Sequence, residues 1–154
     1  MSGKEKSWPE AALVSGCLLG IKCRYDGTSR PHPGLKEMLE GKVPIPVCPE
    51  QLGGLPTPRP PAEISSGDGE EVLLGRAQIL NVEGQDVTEN YLRGAEETLR
   101  IAQIYQVTEA LFQDKSPACG VEHIVKKGKV AKGKGVATAR LEAQGIKVTA
   151  CDNF

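Results

Sequence analysis

No Cys-x-x-Cys pair occurs anywhere in the 154 residues, so zinc-ribbon, thioredoxin and ferredoxin spacings are all absent. Histidine is scarce as well: His32 and His123 are the only two, too few for a His-rich zinc or non-haem iron site. No stretch approaches the roughly 18 to 20 consecutive apolar residues of a membrane span. The segment Met1 to Glu10 is charged and lacks the apolar core of a signal peptide. A formal net charge of -1 with 25% charged residues leaves no excess of one sign to draw the chain to nucleic acid or anionic lipid. These absences lead us to expect a cytoplasmic protein without membrane attachment or stable nucleic-acid binding, whose partner is a small molecule. Internal repeats and linkers are also missing, and the length suits one domain that folds without disulfide staples.

What the chain does have is five cysteines. In a reducing compartment an odd set of cysteines stays as thiols, binds metal or does chemistry. Any soft-metal site here must therefore lean on sulfur. Three of the five stand where apolar runs end. Ala11-Ala-Leu-Val-Ser15 reads as a buried strand running into Gly16-Cys17. Val43-Pro-Ile-Pro-Val47 leads into Cys48-Pro-Glu; its prolines would demote a central strand, but β-branched residues and flanking turn signals keep it extended. Glu109-Ala-Leu-Phe-Gln113 runs into Asp114-Lys-Ser-Pro-Ala-Cys119-Gly120.

Helical patterns lie between these runs. The clearest spans Val87 to Tyr105, where Asp86 and Glu89 have capping-box spacing and Tyr91, Ala95, Leu99, Ala102 and Tyr105 form one apolar face. Leu35 to Leu39 and Val136 to Ala143 are shorter helices, the second followed by Gly145 and a final strand, Ile146 to Ala150. Ala62 to Leu80 reads as a hairpin around Ser65-Ser-Gly-Asp-Gly69, and the basic run Lys126 to Lys134 as a solvated turn without phosphate-loop spacing. The expectation is an α/β fold. It comprises a ten-residue tail (1–10) and a single three-layer domain (11–154) with a mostly parallel, Rossmann- or flavodoxin-like sheet and a small hairpin. In such sheets ligands bind beyond the carboxyl ends of the strands, which is where Cys17, Cys48 and Cys119 would converge.

Three thiolates can hold three iron corners of a cubane and leave the fourth iron open to a substrate atom, and sulfur prefers such a soft site. Free cysteines are equally at home as small buried hydrophobes, a reading that suits any one of them better than the trio. Cys23 is spaced to be a fourth ligand, a structural thiol or a redox guard, and Cys151 is incidental. Arg24, Arg30 and Arg59 are candidates to bind a carbonyl, ribose or phosphate, but arginine serves as often in structural pairs.

Three ordered blocks carry a family resemblance: Ser15-Gly-Cys-Leu-Leu-Gly-Ile-Lys-Cys-Arg-Tyr-Asp-Gly27, Val47-Cys-Pro-Glu-Gln-Leu-Gly-Gly-Leu-Pro-Thr-Pro-Arg59 and Lys115-Ser-Pro-Ala-Cys-Gly120. The chain resembles the DUF523 family, whose characterised members include thiouracil desulfidases. Glu83-Gly-Gln-Asp-Val-Thr-Glu89 and the Gly-Val-Ala-Thr-Ala stretch extend the likeness over nearly the whole length. The resemblance implies a [4Fe-4S] cluster on Cys17, Cys48 and Cys119 with one iron free of protein ligands, and a thiopyrimidine substrate whose sulfur goes to that iron. It also implies a catalytic acid-base residue at Glu50 and a catalytic serine at Ser116; Ala118 stands where many relatives have a second serine. On this reading the chain hydrolyses a C=S bond without net electron transfer, and meets iron-sulfur assembly machinery transiently. The competing readings are an electron-transfer or cluster-carrier protein, which would favour a fully ligated cluster, and a zinc or thiol-only binding module.

Overall fold

The computed structural model describes residues 8–151; the first seven residues of the expected tail lie outside this range. Its frame is a four-stranded sheet with every pair parallel, in the order β2-β1-β5-β8. The strands are β1 (Ala11–Ser15), β2 (Val43–Val47), β5 (Glu109–Phe112) and β8 (Lys147–Ala150). The α/β expectation holds, and each predicted strand forms within a residue of its expected bounds. β2 tolerates two prolines because it is an edge strand. Among the described residues it pairs only with β1, in the register Ala11↔Val43 to Ser15↔Val47, and the Val43 N–H bonds inward to the Glu10 carbonyl at 2.9 Å. Backbone groups alternate sides along a strand, so Pro44 and Pro46 put their missing N–H on the free edge, where proline also blocks further pairing.

Side-chain alternation sorts the sheet's two faces. Leu13, Ala110, Phe112 and Val148 join the larger core beneath α4 (Thr88–Ile104) and α5 (Val136–Ala143). Ala12, Val14 and Leu111 join a smaller core with Leu18, Leu35, Leu39 and Cys151, closed by a 3-10 turn (Gly16–Leu19) and by α1 (Leu35–Leu39). The result is the expected three layers, with a thin layer on one side.

The chain order fixes where a ligand can sit. From β1 the chain moves to β2 on one side, then crosses back to β5 on the other, so the connections diverge between β1 and β5. That divergence opens a crevice at the carboxyl ends of those two strands, and the loops leaving them carry Cys17 and Cys119.

Three sequence expectations need correction. β3 (Ala62–Ile64) and β4 (Ile79–Asn81) do pair antiparallel, but α3 (Gly69–Leu73) sits between them, so the connection is not a simple hairpin. Asp68 starts α3 by accepting the Glu70 N–H at 3.0 Å, a cap that the Asp-Gly-Glu-Glu sequence signals. The run Lys126–Lys134 contains half of a real hairpin: β6 (His123–Lys126) pairs with β7 (Lys129–Lys132) across Lys127 and Gly128, both at positive φ. Glycine at the second turn position meets the demand of a primed hairpin turn. The capping box at Asp86 is also replaced. α4 begins at Thr88, and Asp86 bonds the Thr88 N–H and hydroxyl at 2.9 and 2.6 Å in a local turn. The Thr88 hydroxyl also accepts the Ile79 N–H at 2.8 Å, fastening the start of the helix to β4.

Candidate active site

The short helix α2 (Pro49–Leu52) follows β2 directly, with Cys48 in extended geometry at its N-cap and proline at its first position, where a missing N–H does no harm. Glu50 in its first turn is 9% exposed. What places α2 is contact between glycines. A Cβ on Gly94 of α4 would lie 1.9 Å from the Pro49 carbonyl oxygen, and one on Gly53 would lie 1.9 Å from that of Asn90. The two backbones therefore touch, and the Asn90 side chain donates to the Gly53 carbonyl at 2.9 Å.

The Cys119 loop is fastened at both ends. Asp114 Oδ1 accepts N–H groups from Lys115, Val121, Glu122 and His123 at 2.7 to 3.1 Å. Its Oδ2 meets His123 Nδ1 at 3.0 Å. Burial works against the Asp114 charge, but His123 and the backbone donors outweigh it and hold the carboxyl below its ordinary range. The loop's carbonyls in turn cap α5: Pro117 accepts from Val136 at 2.7 Å and Ala118 from Ala137 at 3.0 Å, satisfying N–H groups that a helix start leaves unpaired. Gly135 lets the two segments meet, since a Cβ there would lie 2.5 Å from the Ala118 carbonyl.

These elements enclose a cavity of ≈ 500 Å³, within the usual range for a small-molecule site. Cys17, Cys48, Cys119, Glu50 and Ser116 all line it, and so do Cys23, Arg24, Arg30 and Arg59. The site residues expected from the sequence are thus brought together. Cys151 is not among them: it is buried in the smaller core with its sulfur 3.5 Å from that of Met38. Among the described residues no three His, Cys, Asp or Glu side chains are close enough to share one metal ion. Thiols spread around one cavity suit a polynuclear centre, in which each metal takes its own thiolate, better than a mononuclear zinc site.

Glu50 is held from two sides. Its Oε1 is 3.2 Å from Arg59 Nη2, and its Oε2 accepts the Tyr91 hydroxyl at 3.1 Å. Arg59 also donates to the Thr57 hydroxyl at 2.9 Å and to the Cys23 carbonyl at 3.0 Å. The Cys48 thiol donates to that same carbonyl at 3.6 Å. Arg59 is therefore a buried structural pair that ties two cysteine loops together. Arg24 and Arg30 stay half-buried on the cavity wall. Ser116 accepts the Cys119 and Ala118 N–H groups at 2.7 and 3.1 Å, so it shapes the loop, and its hydroxyl also supports the Cys119 sulfur, as does that of Ser15.

Cys119, Cys48 and Cys23 resist ionisation in this setting. Burial, then the charges of Glu50 and Cys48, push the Cys119 thiol well up. The Cys23 thiol, then burial and Glu50, raise Cys48. Cys23 itself is pushed up to about 11, chiefly by Cys17. Burial and the Glu50 charge likewise raise Tyr91, which keeps its proton as a donor.

Sequence reasoning placed Tyr91 on the apolar face of α4 and did not single out Ser15. The Ser-Gly-Cys order put Ser15 beside a cysteine, but nothing local points Tyr91 at Glu50, 41 residues away.

A parallel α/β sheet with thiols from three strand-end loops around one cavity, and a buried carboxylate among them, defines a cysteine-centred small-molecule site. The chain belongs to the 2-thiouracil desulfurase family, whose model matches residues 12–153. It is 42% identical over 139 residues to the uncharacterized protein YbbK of Bacillus subtilis (strain 168), covering 88% of this chain and 92% of the other. A solved structure of the [4Fe-4S]-dependent thiouracil desulfidase TudS (DUF523) superposes with a TM-score of 0.79 at 38% identity, covering 92% of this chain and 90% of that one.

Proposed function

We propose that this chain is a [4Fe-4S]-dependent desulfidase that hydrolyses the C=S bond of a thiolated pyrimidine, releasing the oxygenated pyrimidine and hydrogen sulfide. The observation that carries the reading is the convergence of Cys17, Cys48 and Cys119 with Glu50 and Ser116 on one cavity. Cys17, Cys48 and Cys119 would hold the cluster, with one iron free of protein ligands. When bound, that iron supplies a soft Lewis acid for the thione sulfur, drawing electron density from the carbon that water attacks. Cys48 and Cys119, whose thiols keep their protons in this setting, would give them up on holding the metal. Glu50 moves protons for the water and the leaving sulfur. Ser116 keeps its hydroxyl at the Cys119 side of the cavity, where it can also orient water. Arg24 and Arg30 give the wall positive charge suited to the oxygens of the pyrimidine or of a group attached to it. An electron carrier has no need of a substrate-sized cavity beside its thiols, and the presence of one favours the enzyme.

The test is anaerobic turnover of thiouracil, thiouridine and its monophosphate, with sulfide and the oxygenated product measured together in ¹⁸O-labelled water. Label should appear at the carbon that lost sulfur, with no reductant consumed. Glu50→Gln should keep full iron and sulfide content while losing about 10² to 10⁴ in rate. A stoichiometric demand for an electron donor, or wild-type turnover by Glu50→Gln, refutes the mechanism.

A further inference from the structure

We propose that Tyr91 is a positioning residue for Glu50, holding its carboxylate in the one orientation in which it can exchange a proton with a reactant in the cavity. This rests on the reading above, in which Glu50 handles protons.

Glu50 sits on a helix of only four residues, and a glutamate there has several staggered side-chain conformations open to it. Tyr91 has no such freedom. It is 3% exposed and belongs to the larger core. It lies one turn before Gly94, the point where α4 touches α2. Its hydroxyl donates to Glu50 Oε2 at 3.1 Å, while Arg59 engages Oε1 at 3.2 Å from the other side. Arg59 is anchored in turn on the Cys23 carbonyl and Thr57. A rigid donor on each oxygen fixes the plane of the carboxylate. Proton transfer needs that group within hydrogen-bond reach of the reactant, and small misplacements cost large factors in rate. Tyr91 lines the same cavity but acts through Glu50.

Tyr91→Phe keeps the ring in the core and removes only the hydroxyl. In the cluster-loaded protein, kcat for thiouracil should fall by at least about tenfold, the value of a hydrogen bond to a charged group. KM and the iron and sulfide content should stay at wild-type levels. Added to Glu50→Gln, the same change should have almost no further effect, because the residue it positions is already disabled. In an anaerobic crystal structure of Tyr91→Phe, Glu50 should spread over more than one rotamer. The proposal is overturned if Tyr91→Phe turns over at the wild-type rate, if its loss recurs in full on the Glu50→Gln background, or if Glu50 keeps its single rotamer. Wild-type turnover by Glu50→Gln itself overturns the underlying reading and this proposal with it. An inactive Glu50→Gln beside a fully active Tyr91→Phe overturns this proposal alone.

Discussion

Replacing Gly94 with alanine sets two effects of opposite sign against each other. In an unconstrained helix interior, alanine is better than glycine by about 0.5 to 1 kcal/mol, and α4 holds Gly94 near its middle. Against this stands the crossing with α2, where a Cβ would lie 1.9 Å from the Pro49 carbonyl oxygen. Ordinary contact begins at 3.4 Å, so α2 must retreat by about 1.5 Å; the obstacle is backbone, and no side-chain rotamer relieves it. Overpacking of this kind costs about 1 to 3 kcal/mol, and an obstacle made of backbone that must shift as a unit places it near the top of that range. The retreat also takes Glu50 with it, stretching its 3.1 Å bond to Tyr91 past the roughly 3.5 Å limit of a hydrogen bond. In urea unfolding, the midpoint of Gly94→Ala should fall by about 1 M for a typical slope. Turnover should fall too, with Cys17, Cys48 and Cys119 all still present. A variant as stable as wild type, or more stable, would show that helix propensity dominates and that the α2–α4 contact does not fix Glu50.

The cysteines should divide by location: Cys17→Ala, Cys48→Ala and Cys119→Ala should each prevent normal cluster loading, while Cys151→Ala, altered only in the smaller core, should load fully, as measured by iron and sulfide content. Asp114 should make the fold sensitive to acid. Its carboxyl is depressed in the folded state, so its contribution is complete above the unfolded value of about 3.9 and is lost as pH falls through the folded value. Asp114→Asn should therefore be less stable by about 3 kcal/mol at neutral pH, and its urea midpoint should converge with that of wild type as pH drops below about 4. A gap that stays constant down to pH 3 would remove Asp114 from the acid response.

The sheet was legible because its strands are short apolar runs bounded by turn signals, and the site because three of those runs end in cysteine. The topology rule for parallel sheets then carried Cys17 and Cys119 to the same crevice. Local chemistry marked α3 as well, through Asp68 and two glutamates, but a Ser-Gly-Asp-Gly turn signal masked it. The β6–β7 hairpin was hidden differently. Half of its residues are exposed and Ile124 is its one fully buried side chain, so there was little hydrophobic alternation to read. The grip of Tyr91 and Arg59 on Glu50 was not legible at all. It depends on where α4 crosses α2, and that crossing is set by two glycines whose significance lies in the backbone opposite them.

The cavity has walls of two origins. The thiols and Glu50 hang from the parallel sheet and its first connections, whereas Ala62, Glu63, Val82 and Val125 come from the two small antiparallel sheets and the turn after β4. Those side walls share no ladder with the four-stranded sheet. Changing β3 or the turn after β4 would reshape the space open to a ligand, whereas changing β6 would also shift the Cys119 loop, which His123 holds through Asp114; the range of ligands can therefore diverge through the first wall while the sulfurs stay in place.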